Sequence, residues 1–142
     1  MKILLAVDGS EPSLRATRKL IDTLVWYREP PQIEIVNVHL AVPHVGGMHT
    51  IISEKDIDRY YADESAANVA AAVRLLQDAG VQHTVRTLVG PIGETIAKHA
   101  RDTHADLVYL GTHGRRAALA IVMGSVAMDV VQHATVPVVL IR

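Results

Sequence analysis

The chain has 142 residues and no cysteine. That absence excludes thiolate catalysis, Cys-based zinc sites and a disulfide framework, and it fits a reducing compartment. An excess of one charge is lacking too. Fourteen basic residues stand against fifteen acidic ones, a formal charge of −1. No overall electrostatic footprint therefore marks a binder of nucleic acid or of an anionic membrane. No apolar run approaches the ~18 residues of a membrane-crossing helix. The opening Met1-Lys2-Ile3-Leu4-Leu5-Ala6-Val7 meets Asp8 too soon for the roughly 7–15 apolar residues of a secretory leader. A cytoplasmic protein is expected. Aromatic residues are few, at 4%, and Trp26-Tyr27 and Tyr60-Tyr61 fall in helical segments, where packing explains them more simply than base stacking.

What is present is apolar and periodic. Hydrophobic residues make up 49% of the chain, enough for a domain of this size to bury about two-thirds of its unfolded surface. Residues 1–142 are expected to form one domain. Five short apolar runs alternate with segments of helical spacing. Lys2–Val7 is continuous and short, the pattern of a strand buried on both faces. Ser10 or Ser13 can cap a following helix, whose expected buried face is Leu14, Thr17, Ile21 and Leu24, with Pro30-Pro31 as its stop. Ile33–Leu40 alternates as a second strand. Ser53–Asp56 resembles a capping box for a helix with the stripe Ala62, Ala66, Val69, Val73 and Leu76, ending at Gly80. Val81–Val89 is the third strand, and Gly90-Pro91 opens a helix that buries Ile92, Ile96 and Ala100. Asp106–Leu110 and Val136–Ile141 are the fourth and fifth strands, with a helix carrying Val126, Val130 and Ala134 between them. Strands alternating with helices imply right-handed crossovers and a parallel sheet covered on both faces.

In such sheets ligands sit beyond the carboxyl ends of the strands, where strand order reverses. That rule points to Asp8-Gly9 and to the segment Gly111-Thr112-His113-Gly114, which continues through nine residues to Gly124-Ser125. Glycines let the backbone turn and present N–H groups unobstructed. Gly124 and Ser125 stand where the last helix begins, and unpaired N–H groups there attract anions. The Ser125 hydroxyl adds a donor, and Arg115 and Arg116 can supply charge to outer phosphates. The plainer alternative is that these glycines serve only a turn and a helix cap. Two other phosphate motifs are missing: no Lys follows Lys98, which excludes a Walker loop, and the first strand is followed only by Asp8-Gly9-Ser10, not by Gly-x-Gly-x-x-Gly.

Gly111-x2-Gly114-x9-Gly124-Ser125 is similar to the ATP-binding signature of the universal stress protein family. The resemblance extends to the opening Ile3–Ser10, to the block Ala105–Gly114 and to the ending Gly124–Ala127 and Pro137–Arg142. It implies a Rossmann-like α/β fold, an open five-stranded parallel sheet with four helices and strand order 3-2-1-4-5. It also implies an ATP or adenine-nucleotide site and a regulatory role in stress responses. Carried over by position, Ala6, Val7 and Asp8 would line the adenosine, and Val38 would pack on the adenine. Leu110, Gly111 and Gly114 would approach ribose and phosphates, and Gly124, Ser125 and Val126 would hold the phosphates. Ala127 departs from members with Thr there, and Arg115-Arg116-Ala117-Ala118 is less glycine-rich than many. Gly124→Val is expected to block the phosphates while leaving the fold intact.

The resemblance further implies a homodimer through strand 136–141. That segment is apolar on both faces, and Pro137 suits an edge, which would be an aggregation hazard if uncovered. The alternative is a terminal strand in a monomer. A slow ATPase or phosphotransferase in the same pocket is the second functional reading, and a nucleotide-free interaction protein is the third. Mg2+ can accompany ATP, although no Walker-type Asp is evident to hold it. No residue is assigned catalysis: Ser125 lacks a nucleophile elbow, and no group is identified to activate water. His39, His44 and His49 recur at intervals of five in a Pro/Gly loop, which is not zinc-ligand spacing, so no metal site is expected. His113 can orient the loop or touch phosphate.

Overall fold

The computed structural model of the protein describes residues 1–41, 54–113 and 123–142. Five strands form one parallel sheet: β1 (Lys2–Ala6), β2 (Gln32–His39), β3 (His83–Val89), β4 (Leu107–Gly111) and β5 (Val138–Ile141). Their order is β3-β2-β1-β4-β5, as expected. β1 lies at the centre because it can be buried on both faces: Ile3, Leu4 and Leu5 are fully shielded from solvent. The pleat then splits them. Ile3 and Leu5 join Ile33, Ile35 and Tyr109 in a core covered by helices α1 (Glu11–Thr23) and α2 (Glu54–Asp78). Leu4 joins Val36, Val108 and Leu110 in a second core covered by α3 (Ile92–Asp102) and α4 (Ser125–His133).

The helices depart from expectation in instructive ways. Ser10, not Ser13, is the cap of α1, accepting from the Ser13 N–H at 3.4 Å. The helix ends at Thr23 and passes into a 3-10 turn over Leu24–Trp26, well before Pro30. Its buried face is Ser13, Ala16, Thr17, Leu20 and Thr23, with Leu14, Ile21 and Leu24 only flanking the core. The hydroxyls make this possible. Ser13 donates to the Ser10 carbonyl, Thr17 to that of Ser13 and Thr23 to that of Leu20. Small residues with satisfied hydroxyls can therefore sit against the sheet, where an unpaired hydroxyl would be costly.

The stripe of α2 is likewise corrected. Tyr61, Ser65, Val69, Ala72 and Leu76 are buried, whereas Ala62 and Ala66 are exposed. Polar partners choose this face: the Tyr61 hydroxyl donates to the Leu40 carbonyl, and the Thr87 hydroxyl to that of Ser65. Ser53 lies outside the described residues. Gly80, at φ 68°, ends the segment, with the Val81 N–H returning to the Leu76 carbonyl, the left-handed closure that glycine favours. β3 is two residues shorter than expected and forms a sheet edge, so Val85 and Val89 are exposed. Pro91 stands at the N-cap of α3 instead of its first position. Ile96 and Ala100 are buried as expected, together with Gly93 and Ala97. β5 pairs over Val138–Ile141, and the Pro137 carbonyl still accepts from Val108.

One charge is buried at the amino-terminal end of the sheet. The side chain of Glu34 on β2 is 7% exposed and meets Lys2 Nζ at 2.5 Å, His99 Nε2 at 3.3 Å and Arg86 Nε at 3.6 Å. Burial alone pushes its carboxyl up, but the hydrogen bonds and charges of Lys2 and His99 outweigh that and hold it below its ordinary value of 4.5.

Candidate functional site

The carboxyl ends of β1 and β4 are adjacent, since Leu5 pairs with Tyr109. From them the chain leaves toward opposite faces, to α1 and to α4. After β1, Gly9 turns the backbone at φ 79°. Asp8 fixes this turn through Oδ1, which accepts from the Ser10 amide at 3.0 Å and the Ser10 hydroxyl at 2.5 Å. The Val7 side chain belongs to the first core. Its N–H donates to Val36, and its carbonyl accepts from Asn37 Nδ2 at 2.6 Å.

After β4, Gly111 lies against the first turn of α1. A Cβ there would stand 2.7 Å from the Pro12 carbonyl oxygen and 2.8 Å from its carbon, so α1 and β4 could not keep their spacing. Gly111→Ala is expected to lower stability by about 1–3 kcal/mol, the usual range for overpacking, measured by urea unfolding. A midpoint equal to the parent's would show that α1 yields freely. Gly124 is similarly confined. Its N–H donates to the Thr112 carbonyl at 2.7 Å, and a Cβ would stand 2.9 Å from that oxygen. This hydrogen bond and the close approach that glycine permits tie the start of α4 to the end of β4. They also alter the expectation for Gly124→Val, which presses on this junction as well as on any ligand.

With Gly124 engaged, the amides left at the start of α4 are those of Ser125, Val126 and Ala127. The N-cap, Gly124, brings no side chain to cap them, and the first turn of a helix gives such groups no internal acceptor. Ser125 is exposed and Val126 half-buried, whereas Ala127 is only 2% exposed, its methyl within the second core. The core that α4 covers also has an apolar border. Ala6, Val38, Leu88, Ile92, Met123 and Val126 are all half-buried against the second core, and Val38 pairs directly with Leu88. Leu110 is buried beneath them. Leu88, Ile92 and Met123 share this border with the expected Ala6, Val38 and Val126, although the sequence reading did not group them. The pleat alternation of the third strand and the position before Gly124 were the available signals.

Among the described residues, Ala6, Val38, Leu110 and Val126 share the second core, Gly111 ends β4 and Gly124 and Ser125 begin α4, and Val7 and Asp8 lie in the turn after β1. Gly114 and Arg115 lie outside the described residues, as do Arg116, His44 and His49. His113 stands next to Thr112, with Nδ1 3.0 Å from its hydroxyl. Chemically, the start of α4 offers amide donors and a hydroxyl for an anion, and the half-buried residues over the second core offer an apolar surface for a flat group.

Residues 1–142 match the model of the universal stress protein family. The universal stress protein MJ0531 of Methanocaldococcus jannaschii is 29% identical over 146 residues, spanning 99% of this chain and 81% of the relative. Among solved structures, universal stress protein UspA from Lactobacillus plantarum superposes with a TM-score of 0.78 at 21% identity, over 100% of this chain and 97% of that one. The universal stress protein from Archaeoglobus fulgidus, solved in complex with dAMP, gives 0.64 at 23% identity, over 100% and 98%. A family match along the whole sequence, on the strand order the family's fold requires, makes this chain a member of the universal stress protein family.

Proposed function

We propose that the protein binds an adenine nucleotide, ATP foremost, at the carboxyl ends of β1 and β4, and that the bound state serves a regulatory role in stress responses. The observation that carries this reading is the pairing of two features. The first-turn amides and the Ser125 hydroxyl begin α4 behind a glycine N-cap, and the half-buried apolar residues Ala6, Val38 and Leu88 line the same core that α4 covers. The dAMP bound to the Archaeoglobus fulgidus relative supports the choice of ligand. Phosphates would take the amides of Ser125 and Val126, with Gly111 and Gly124 leaving room at the backbone. The base would lie on Ala6 and Val38, with Asp8 near the nucleoside. Arg115 would meet the outer phosphates, and Mg2+ would accompany them when ATP is bound.

The working form is a cytoplasmic homodimer joined through residues 136–141. The half-buried Val138, Val139, Leu140 and Ile141 of β5 support this, since an apolar strand at a sheet edge calls for cover. The experiment that tests the nucleotide reading is mass spectrometry of small molecules released from freshly purified, denatured protein, followed by calorimetric titration of stripped protein with ATP. Expected is adenine nucleotide near one per chain, or titration at micromolar concentration. Finding neither overturns the proposal in favour of a nucleotide-free interaction protein.

A further inference from the structure

Outside the nucleotide region, α3 and α4 pack side by side over the second core, and one place in that seam collects metal-ligating groups. Gly93, in the first turn of α3, is buried, and the Asp129 side chain of α4 occupies the space where a Cβ would stand: Asp129 Cβ lies 2.5 Å from that position. Glycine thus allows the Asp129 carboxylate to reach α3 beside Glu94. One turn along α4, His133 places Nδ1 3.1 Å from Asp129 Oδ1 and 2.9 Å from the Asp129 carbonyl oxygen. A ligand atom from each of Glu94, Asp129 and His133 lies within 4.8 Å of the other two.

The geometry points to a binding site for a divalent first-row transition ion of the zinc type, held by Glu94, Asp129 and His133 across the α3–α4 seam. Two carboxylate oxygens and one imidazole nitrogen form three corners of a tetrahedron, and water takes the fourth. Zinc bonds such atoms at about 2.0–2.2 Å, so the three need to close by roughly an ångström. Glu94 and His133 are exposed, which leaves their side chains room to rotate. When Nδ1 donates its proton to the Asp129 carbonyl, Nε2 carries the lone pair for the metal. When Nδ1 itself binds, that internal bond gives way. Imidazole favours zinc-like ions over Mg2+ and Ca2+, which prefer oxygen alone and more of it. Spacing of four along one helix, with the third ligand from a neighbouring helix, is not visible as a sequence motif because Glu94 is remote in the chain. In metal-free protein the same groups serve as an Asp129–His133 ion pair whenever the imidazole is protonated.

The test is calorimetric titration of untagged, chelator-treated protein with ZnCl2. Expected is one ion per chain, with a dissociation constant on the order of micromolar and a melting temperature that rises with free zinc, as binding to the native state alone demands. His133→Ala and Glu94→Gln, both at exposed positions, should each weaken binding by at least about tenfold, the smallest loss typical of removing even a group that only supports a ligand. His104→Asn, at an exposed histidine elsewhere with φ 52°, should leave it unchanged, since Asn tolerates that conformation. His133→Ala or Glu94→Gln binding zinc like the parent overturns the site. So does an absence of saturable binding below about 100 µM, because linkage at that affinity gives no useful stabilisation.

Discussion

Replacing Lys2 with methionine is expected to lower the unfolding free energy at pH 7 by about 3 kcal/mol, the low end of the range for breaking a buried ion pair from one side. The reason is the environment of Glu34. Its side chain is 7% exposed, whereas that of Lys2 is 25% exposed. Lys2 can therefore lose its head group with little hydration cost, but Glu34 cannot regain water without opening the sheet. His99 stays at 3.3 Å but carries charge only when protonated, and Arg86 at 3.6 Å is largely solvated, so neither replaces the fixed charge of Lys2. The sign with pH follows from the depressed carboxyl of Glu34. A carboxylate whose folded pKa lies below its unfolded value stabilises the fold fully above the unfolded value of 4.5. That contribution is lost as the pH falls through the folded value. In Lys2→Met, burial has less to oppose it and the carboxyl rises, so the deficit relative to the parent should shrink steadily as acid protonates Glu34. Urea unfolding at several pH values from 7 down to 3 measures this. A deficit that stays constant across that range would assign Lys2 a packing role instead. The double variant Lys2→Met, Glu34→Gln should cost less than the two single losses added, as contacting charges couple.

Glu34 also shows why part of the molecule was not legible in the sequence. Within Ile33–Leu40 it reads as the polar half of an alternating strand, which would face water in a two-layer protein. The strand order puts β2 inside the sheet and α3 over that face, and only then does Glu34 become buried and need Lys2 and His99. The helical stripes failed for a related reason. Hydrophobic spacing put the face of α1 on Leu14, Thr17, Ile21 and Leu24; Thr17 is buried as expected, but its companions are Ser13, Ala16, Leu20 and Thr23, and the hydroxyls of Ser13 and Thr17 are satisfied by backbone carbonyls. In α2, Tyr61 and Ser65 displaced Ala62 and Ala66 because each has a polar partner across the interface. The order of elements was legible because it depends on coarse features: short apolar runs, caps and glycines between them.

The site was legible in a more ambiguous way. Gly111 and Gly124 stood out as phosphate-loop glycines, and the fold gives each a second reason to be glycine. Gly111 admits Pro12, and Gly124 admits the Thr112 carbonyl. A demand from packing and a demand from a ligand select the same residue, so sequence alone could not separate them. Substituting either glycine confounds the two in experiment as well. A clean test has to change the charge at the start of α4 without touching the junction.

Ser125→Glu provides it. Ser125 is exposed at the first position of α4, where an added side chain meets solvent. A carboxylate there complements the positive end of the helix, worth about 0.3–1 kcal/mol of stability. The nucleotide responds with the opposite sign. A phosphate charge about 5 Å from that carboxylate is repelled by roughly 1–3 kcal/mol, between a watery and a surface-like dielectric, and a polyphosphate brings more than one charge. The expected result is ATP binding weakened by about two powers of ten, with a melting temperature equal to or above the parent's. Ser125→Ala, which removes only the hydroxyl, should cost about three- to tenfold, one ordinary hydrogen bond. Raising the salt concentration should narrow the Glu deficit and leave the Ala deficit nearly unchanged, because only the former is a charge repulsion open to screening. Calorimetry and thermal unfolding on the three proteins measure both quantities. If Ser125→Glu is folded and stable yet binds ATP as tightly as the parent, the phosphates do not sit at the start of α4. If it loses binding while gaining stability, the helix end is identified as the anion site independently of either glycine, because a folding defect cannot raise stability and abolish a ligand at once.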